Sequence, residues 1–111
     1  MYEKNLNIGY LLDFYGEILT ERKRTVLDMY YNEDFSLAEI SEEIGISRQG
    51  VRDIVKKAEE ELLFFEERLG LSKKIERLEA KADKLLMLAQ SVGASEELIA
   101  GLSELKGEIE Q

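Results

Sequence analysis

Arg48, Arg52, Lys56 and Lys57 fall close together along this 111-residue chain, with Gln49 and a single acid, Asp53, among them. The segment from Ser47 to Lys57 carries a net charge of +3, four cations against that one acid. Such residues do not make or break bonds. Lys and Arg neutralise phosphates, Arg can also pair with the guanine edge, and Gln can pair with adenine. Ser47 precedes them as a natural helix cap, which would leave backbone amides pointing outward where a phosphate binds well. Ser47, Arg48, Gln49, Arg52, Lys56 and Lys57 are therefore the expected nucleic-acid contacts.

Composition removes most alternatives. The chain has no Cys and no His. Thiolate nucleophiles, disulfides, imidazole bases and the common zinc ligand sets are excluded with them. No Gly-rich phosphate loop and no evident pair of catalytic carboxylates appears, so a small hydrolase has nothing to work with and no cofactor is expected. The acids Glu59, Glu60, Glu61, Glu66 and Glu67 read as solvated helix surface rather than as a metal site. No apolar run approaches the roughly 20 residues that span a bilayer. Met1–Gly9, with Glu3 inside it, lacks the apolar core of a signal peptide. A cytoplasmic protein without membrane insertion is expected.

The net charge of −9 opposes nucleic-acid binding as a whole. Its distribution does not. Residues 1–19 carry −2, residues 20–57 carry −1 and residues 58–111 carry −6. A second cationic run, Arg22-Lys23-Arg24, falls in the first turn of an expected helix, where it opposes the helix dipole; it reads as solvated surface offset by Glu21 rather than as a second phosphate clamp.

The elements that must position the cationic segment follow from periodicity and caps. The chain has no proline, which suits helices joined by short turns. Ile8, Leu11, Leu12 and Tyr15 line one face of a first helix ending before Gly16. Thr20 caps a second helix that runs to about Tyr31 with Val26, Leu27, Tyr30 and Tyr31 inward, and Asn32-Glu33-Asp34 forms a turn. Ser36-Leu37-Ala38-Glu39 is a capping box for a short third helix, with Leu37, Ile40 and Ile44 inward, that ends at Gly45. Ser47 then opens a fourth helix to about Arg68, whose Val51, Ile54, Val55, Ala58, Leu62, Phe65 and Leu69 share an inward line. That is a helix-turn-helix connection. Leu63 and Phe64 fall on the otherwise polar side of the fourth helix, so a covering hairpin or a second chain is expected against them. A fifth helix from about Ser72 to Val92 and a sixth capped by Ser95 repeat Ile75, Leu78, Ala82, Leu85, Ala89, Val92 and Leu98, Leu102, Leu105, Ile109, the pattern of an antiparallel helical hairpin. The expectation is an all-α fold: a helix-turn-helix domain over residues 1–70, and a hairpin over residues 71–111 packed into the same compact unit.

The stretch SLAEISEEIGISRQGVRDIVKKAEEELL, from Ser36 to Leu63, resembles the fourth conserved region of sigma factors, a DNA-binding helix-turn-helix of the winged-helix-like class without a wing. The R-x-x-V-R pattern of its recognition helix is here Arg48-Gln49-Gly50-Val51-Arg52. Glu3-Lys4, Tyr15-Gly16, the core LLDFYGEILTERKRTVLDMYYNEDFSLAEISEEIGISRQGVRD and the acidic helical tail together resemble the YlxM family of small bacterial proteins over nearly the whole chain. That resemblance implies a cytoplasmic, dimeric helix-turn-helix protein with a regulatory or accessory role in the signal recognition particle pathway, its partners being DNA or RNA, particle components and a second copy of itself. Two other readings stay open: a sequence-specific transcriptional regulator, and a protein–protein adaptor that uses the same fold without nucleic acid. Many sigma-type modules carry charged residues where this chain has Gln49 and Gly50. Gly50 costs roughly 1 kcal/mol of helix propensity and removes a side chain from the reading surface.

Overall fold

The computed structural model describes residues 6–110; Glu3 and Lys4, which open the family resemblance, lie outside the described residues. All regular structure among the described residues is helical. The chain divides at Gly70 into two compact units, Met1–Gly70 and Leu71–Gln111.

The first unit comprises α1 (Leu6–Tyr15), a 3₁₀ turn (Gly16–Ile18), α2 (Glu21–Leu27) continued by a π turn (Asp28–Asn32), α3 (Leu37–Ile44) and α4 (Arg48–Leu69). Thr20 caps α2 by accepting from the Lys23 amide. The core takes the expected face of α1, namely Ile8, Leu11, Leu12 and Tyr15. It adds Val26, Leu27 and Tyr30 from α2 and its π turn, Ile40 from α3, and Val51, Val55, Ala58 and Leu62 from α4. Leu37, Ile44, Ile54 and Phe65 pack against its edge. Leu69, which the 100° count also turns inward, is instead 53% exposed. The inward line of α4 stops at Phe65.

The π turn has a packing rationale. Tyr30 is buried, and Tyr31 reaches α4 to donate its hydroxyl to Glu59. The residue inserted at the π turn widens the helix locally and resets the direction of the side chains that follow it. The Glu33 amide donates to the Asp28 carbonyl at 2.9 Å, closing that wider ring.

In the second unit α5 (Leu71–Ser91) packs against α6 (Glu96–Glu110). The intervening turn uses Gly93 at φ 67 and Ser95, whose hydroxyl accepts from the Leu98 amide at 3.2 Å. Ala82 and Ala89 are buried, and Lys106 bridges to Asp83 at 2.7 Å. Leu78, Leu85, Val92, Leu98 and Leu105 belong to the stripe expected to close the hairpin, yet they stand exposed. A single partner helix covers only part of a wide apolar stripe.

Candidate nucleic-acid interface

Local chemistry builds the bend between α3 and α4. Ser36 accepts from the Glu39 amide at 3.1 Å, and the Glu39 carboxylate accepts from the Ser36 amide at 3.0 Å, the reciprocal pair of a capping box. Those hydrogen bonds hold the Glu39 carboxyl below its ordinary pKa. At the other end of α3, Gly45 adopts φ 75 and ψ 32, and its amide donates to the Ser41 carbonyl at 3.0 Å. Ser41 also donates its hydroxyl to the Ile46 carbonyl, which pins the turn from within. An added Cβ at Gly45 would meet nothing within 4 Å. Gly45→Ala therefore carries only the backbone cost of the left-handed conformation, and we expect a loss of about 1 kcal/mol in chemical denaturation with no change in helical content. An unchanged midpoint would mean that the turn relaxes out of that conformation.

Ser47 then starts α4. Its hydroxyl accepts from the Gly50 amide at 3.0 Å and its carbonyl from the Val51 amide at 3.0 Å. The amides of Arg48 and Gln49 remain directed out of the helix start, on the positive end of its dipole. Val51, Val55 and Ala58 anchor the opposite face in the core. The cationic face is thereby fixed by packing behind it.

Ser47, Arg48, Gln49, Arg52, Lys56 and Lys57 are all exposed. Among the described residues none of the four cations pairs with a carboxylate. Gln49 is engaged: its side-chain amide donates to Asp53 at 3.0 Å one turn along α4. Reading a base through Gln49 requires that bond to open. The acid that lowers the local charge thus also holds the only neutral reading group.

Gly50 has a different role from the one its place in the recognition pattern implies. It is half-buried, and an added Cβ would lie 3.2 Å from the Ser47 hydroxyl and 3.4 Å from Ile46. The missing side chain serves the tight turn rather than leaving space on the reading surface.

Further along α4 the acids separate. Glu59 is 9% exposed and accepts from Tyr31, Glu61 is 2.7 Å from Lys23, and Glu66 accepts from the Tyr15 hydroxyl at 2.8 Å. The solvated-surface reading fails for these three, because α1 and α2 pack against α4 and Tyr31 of the π turn reaches it. It fails for Lys23 too, which is half-buried against Glu61 while Arg22 and Arg24 stay exposed. Burial pushes the Glu59 carboxyl up to about 7. Arg52, Lys56, Glu59, Glu60 and Leu63 line one shallow groove that continues from the cationic face.

Leu63 and Phe64 are 45% and 52% exposed. Arg68 lies over the Phe64 ring at 5.3 Å from its centroid, a cation–π contact. No helix among the described residues is long and apolar enough to cross a membrane.

Comparison with known proteins agrees with this architecture. A family profile described as "Putative helix-turn-helix protein, YlxM / p13 like" (UPF0122) matches residues 2–102. A UPF0122 protein of Thermoanaerobacter sp. (strain X514) is 44% identical over 104 residues, covering 91% of this chain and 89% of that protein. UPF0122 proteins of Halalkalibacterium halodurans and Geobacillus kaustophilus are 42% and 40% identical, each match covering 95% of this chain and 96% of the relative.

Proposed function

Because the chain belongs to the YlxM / p13-like helix-turn-helix family, we propose that it binds nucleic acid through the start of α4, in a non-catalytic, regulatory role. The observation that carries this reading is the row of four exposed, unpaired cations beside the Ser47-capped helix start of an otherwise acidic protein. In a docked helix-turn-helix the first two turns of the second helix enter the major groove. Arg48 and Arg52, on those turns, are the candidates for base edges, and Lys56 and Lys57 for phosphates. Asp53 and Gln49 restrict the reading to few direct contacts. A place in the cytoplasm beside the signal recognition particle rests on the family resemblance alone.

Salt dependence is the test. Each phosphate neutralised contributes about 0.9 to the slope of log affinity against log salt on duplex DNA. Lys56→Ala is expected to weaken binding to unrelated duplexes alike and to flatten that slope by about one unit. Fluorescence anisotropy titrations at several salt concentrations measure both. A slope equal to the parent's removes Lys56 from the interface. No measurable binding of duplex DNA or of RNA at low salt removes the proposal itself.

A second reading draws on Leu63 and Phe64. Their exposure next to the cationic groove suits an adaptor that docks a protein on α4. Retention of a protein partner after nuclease treatment, lost in Leu63→Asp, would favour it.

A further inference from the structure

The middle of the cationic face is not cationic. At 100° per residue, Gln49 and Asp53 lie within about 30° of the line directly opposite the buried Val51, Val55, Ala58 and Leu62. Lys56 and Lys57 stand about 50° to either side of that line. On a helix seated in a groove, the flanks face the phosphates and the midline faces the groove floor, where the base edges are. The side chains on that midline are a carboxylate and the amide bound to it.

The bond between them decides which atoms remain for a base. The Gln49 side-chain amide donates to Asp53 Oδ1 at 3.0 Å, and both residues are exposed. It uses a donor of Gln49 and holds the carboxylate in place on the second turn of α4. Among the described residues no other group donates to Asp53, so Oδ2 keeps its lone pairs.

A fixed acceptor on the groove floor is selective. In the major groove guanine presents O6 and N7, thymine presents O4, and adenine presents N7 beside its amine; each of these acceptors repels a carboxylate. Cytosine presents its N4 amine, a donor, with no acceptor beside it. The same charge repels phosphate, so Asp53 opposes sequence-independent binding as well. Arg48 and Arg52, on the same two turns, are donors suited to the guanine that pairs with that cytosine.

We propose that Asp53, oriented by Gln49, is the specificity-determining residue of the α4 surface and accepts from the N4 amine of a cytosine in the major groove of duplex DNA. This role rests on the nucleic-acid reading of α4 given above. It narrows the ligand to duplex DNA, because the deep, narrow major groove of an RNA helix does not admit side chains on a helix. Gln49 is then a positioning residue, and its bond to Asp53 stays closed in the complex. An acid held in the middle of a basic face lowers affinity for most sequences and raises discrimination among them.

Selection by the full chain from a pool of duplexes with a randomised centre tests this, followed by anisotropy titrations on single duplexes. The parent is expected to enrich a C·G pair at one position, and any other pair placed there should lower affinity about tenfold, as the loss of one base contact does. Asp53→Ala should bind the three disfavoured duplexes more tightly than the parent does, and all four alike. Asp53→Asn, whose amide matches adenine N6 and N7 together, should move the preference to adenine. A parent that enriches no base pair overturns the proposal. So does a cytosine preference that survives in Asp53→Ala, or an equal loss of affinity for all four duplexes in that variant. Binding to an RNA hairpin with none to duplex DNA overturns it too. The nucleic-acid reading of α4 survives each of these results, whereas no binding to duplex DNA or RNA at low salt removes both.

Discussion

Reversing two charges at the start of α4, Arg48→Glu with Arg52→Glu, is expected to lower nucleic-acid affinity by at least about 100-fold, because each side chain contributes on the order of 1–3 kcal/mol in a docked groove and the substituted carboxylates add repulsion. Stability should stay within about 0.5 kcal/mol of the parent, since both side chains are exposed and neither is paired in the fold. The matched control is Arg22→Glu with Arg24→Glu on α2. That variant makes the same change in net charge at two other exposed cations, while Lys23 between them stays on Glu61. Long-range electrostatics alone would affect both variants similarly. A specific interface affects the α4 variant far more. Anisotropy with a labelled duplex and a labelled RNA hairpin at fixed salt gives the comparison. Equal losses in the two variants would reduce the cationic face to a diffuse charge effect, and a larger loss in the α2 variant would relocate the interface.

What the sequence made legible was chemistry that acts over three or four residues. The capping box at Ser36, the left-handed Gly45 and the Ser47 cap are each decided within one helical turn, and the structure has all three. They set the bend, and the bend presents the cationic face. The illegible part is long-range. Glu59, Glu61 and Glu66 find partners 28, 38 and 51 residues away in sequence, and no short window distinguishes a glutamate that will meet a tyrosine from one that will meet water. One cue existed for Glu59. It lies four residues after Val55 and three before Leu62, both buried, so it falls inside the inward arc of α4. Gly50 shows the reverse error. Its place in a recognition pattern suggested the reading surface, while its neighbours Ile46 and Ser47 account for it. The hairpin was legible as apolar periodicity, but periodicity cannot say what covers a stripe, and the exposed Leu85 and Leu98 are the result.

Glu59 should also make the stability of the first unit depend on pH in an unusual direction. Its carboxyl is raised to about 7 by burial, whereas in the unfolded chain it titrates near 4.3. The folded state therefore holds a proton between those values that the unfolded state has released. Stability falls as pH rises through that window and levels off above about 7, the opposite of a carboxylate stabilised by an ion pair. A shift of this size corresponds to about 4 kcal/mol at most; part of it falls below pH 5, and the Tyr31 hydroxyl donates to the charged form and opposes part of the rest, so about 2 kcal/mol between pH 5 and pH 8 is the expected loss. Other carboxylates titrate in the same range, and the acidic chain repels itself more strongly as they ionise, so the informative quantity is a difference between two proteins. Glu59→Gln keeps an oxygen for the Tyr31 hydroxyl and cannot ionise. It should match the parent at pH 5 within about 0.5 kcal/mol and exceed it at pH 8 by about 2 kcal/mol. Tyr31→Phe removes that donor to the charged form and should steepen the parent's dependence. Chemical denaturation across this range measures all three. A parent and a Glu59→Gln variant whose stabilities run parallel from pH 5 to pH 8 would mean that Glu59 titrates like a solvated glutamate, and the buried Tyr31–Glu59 contact would then have to open to water in solution.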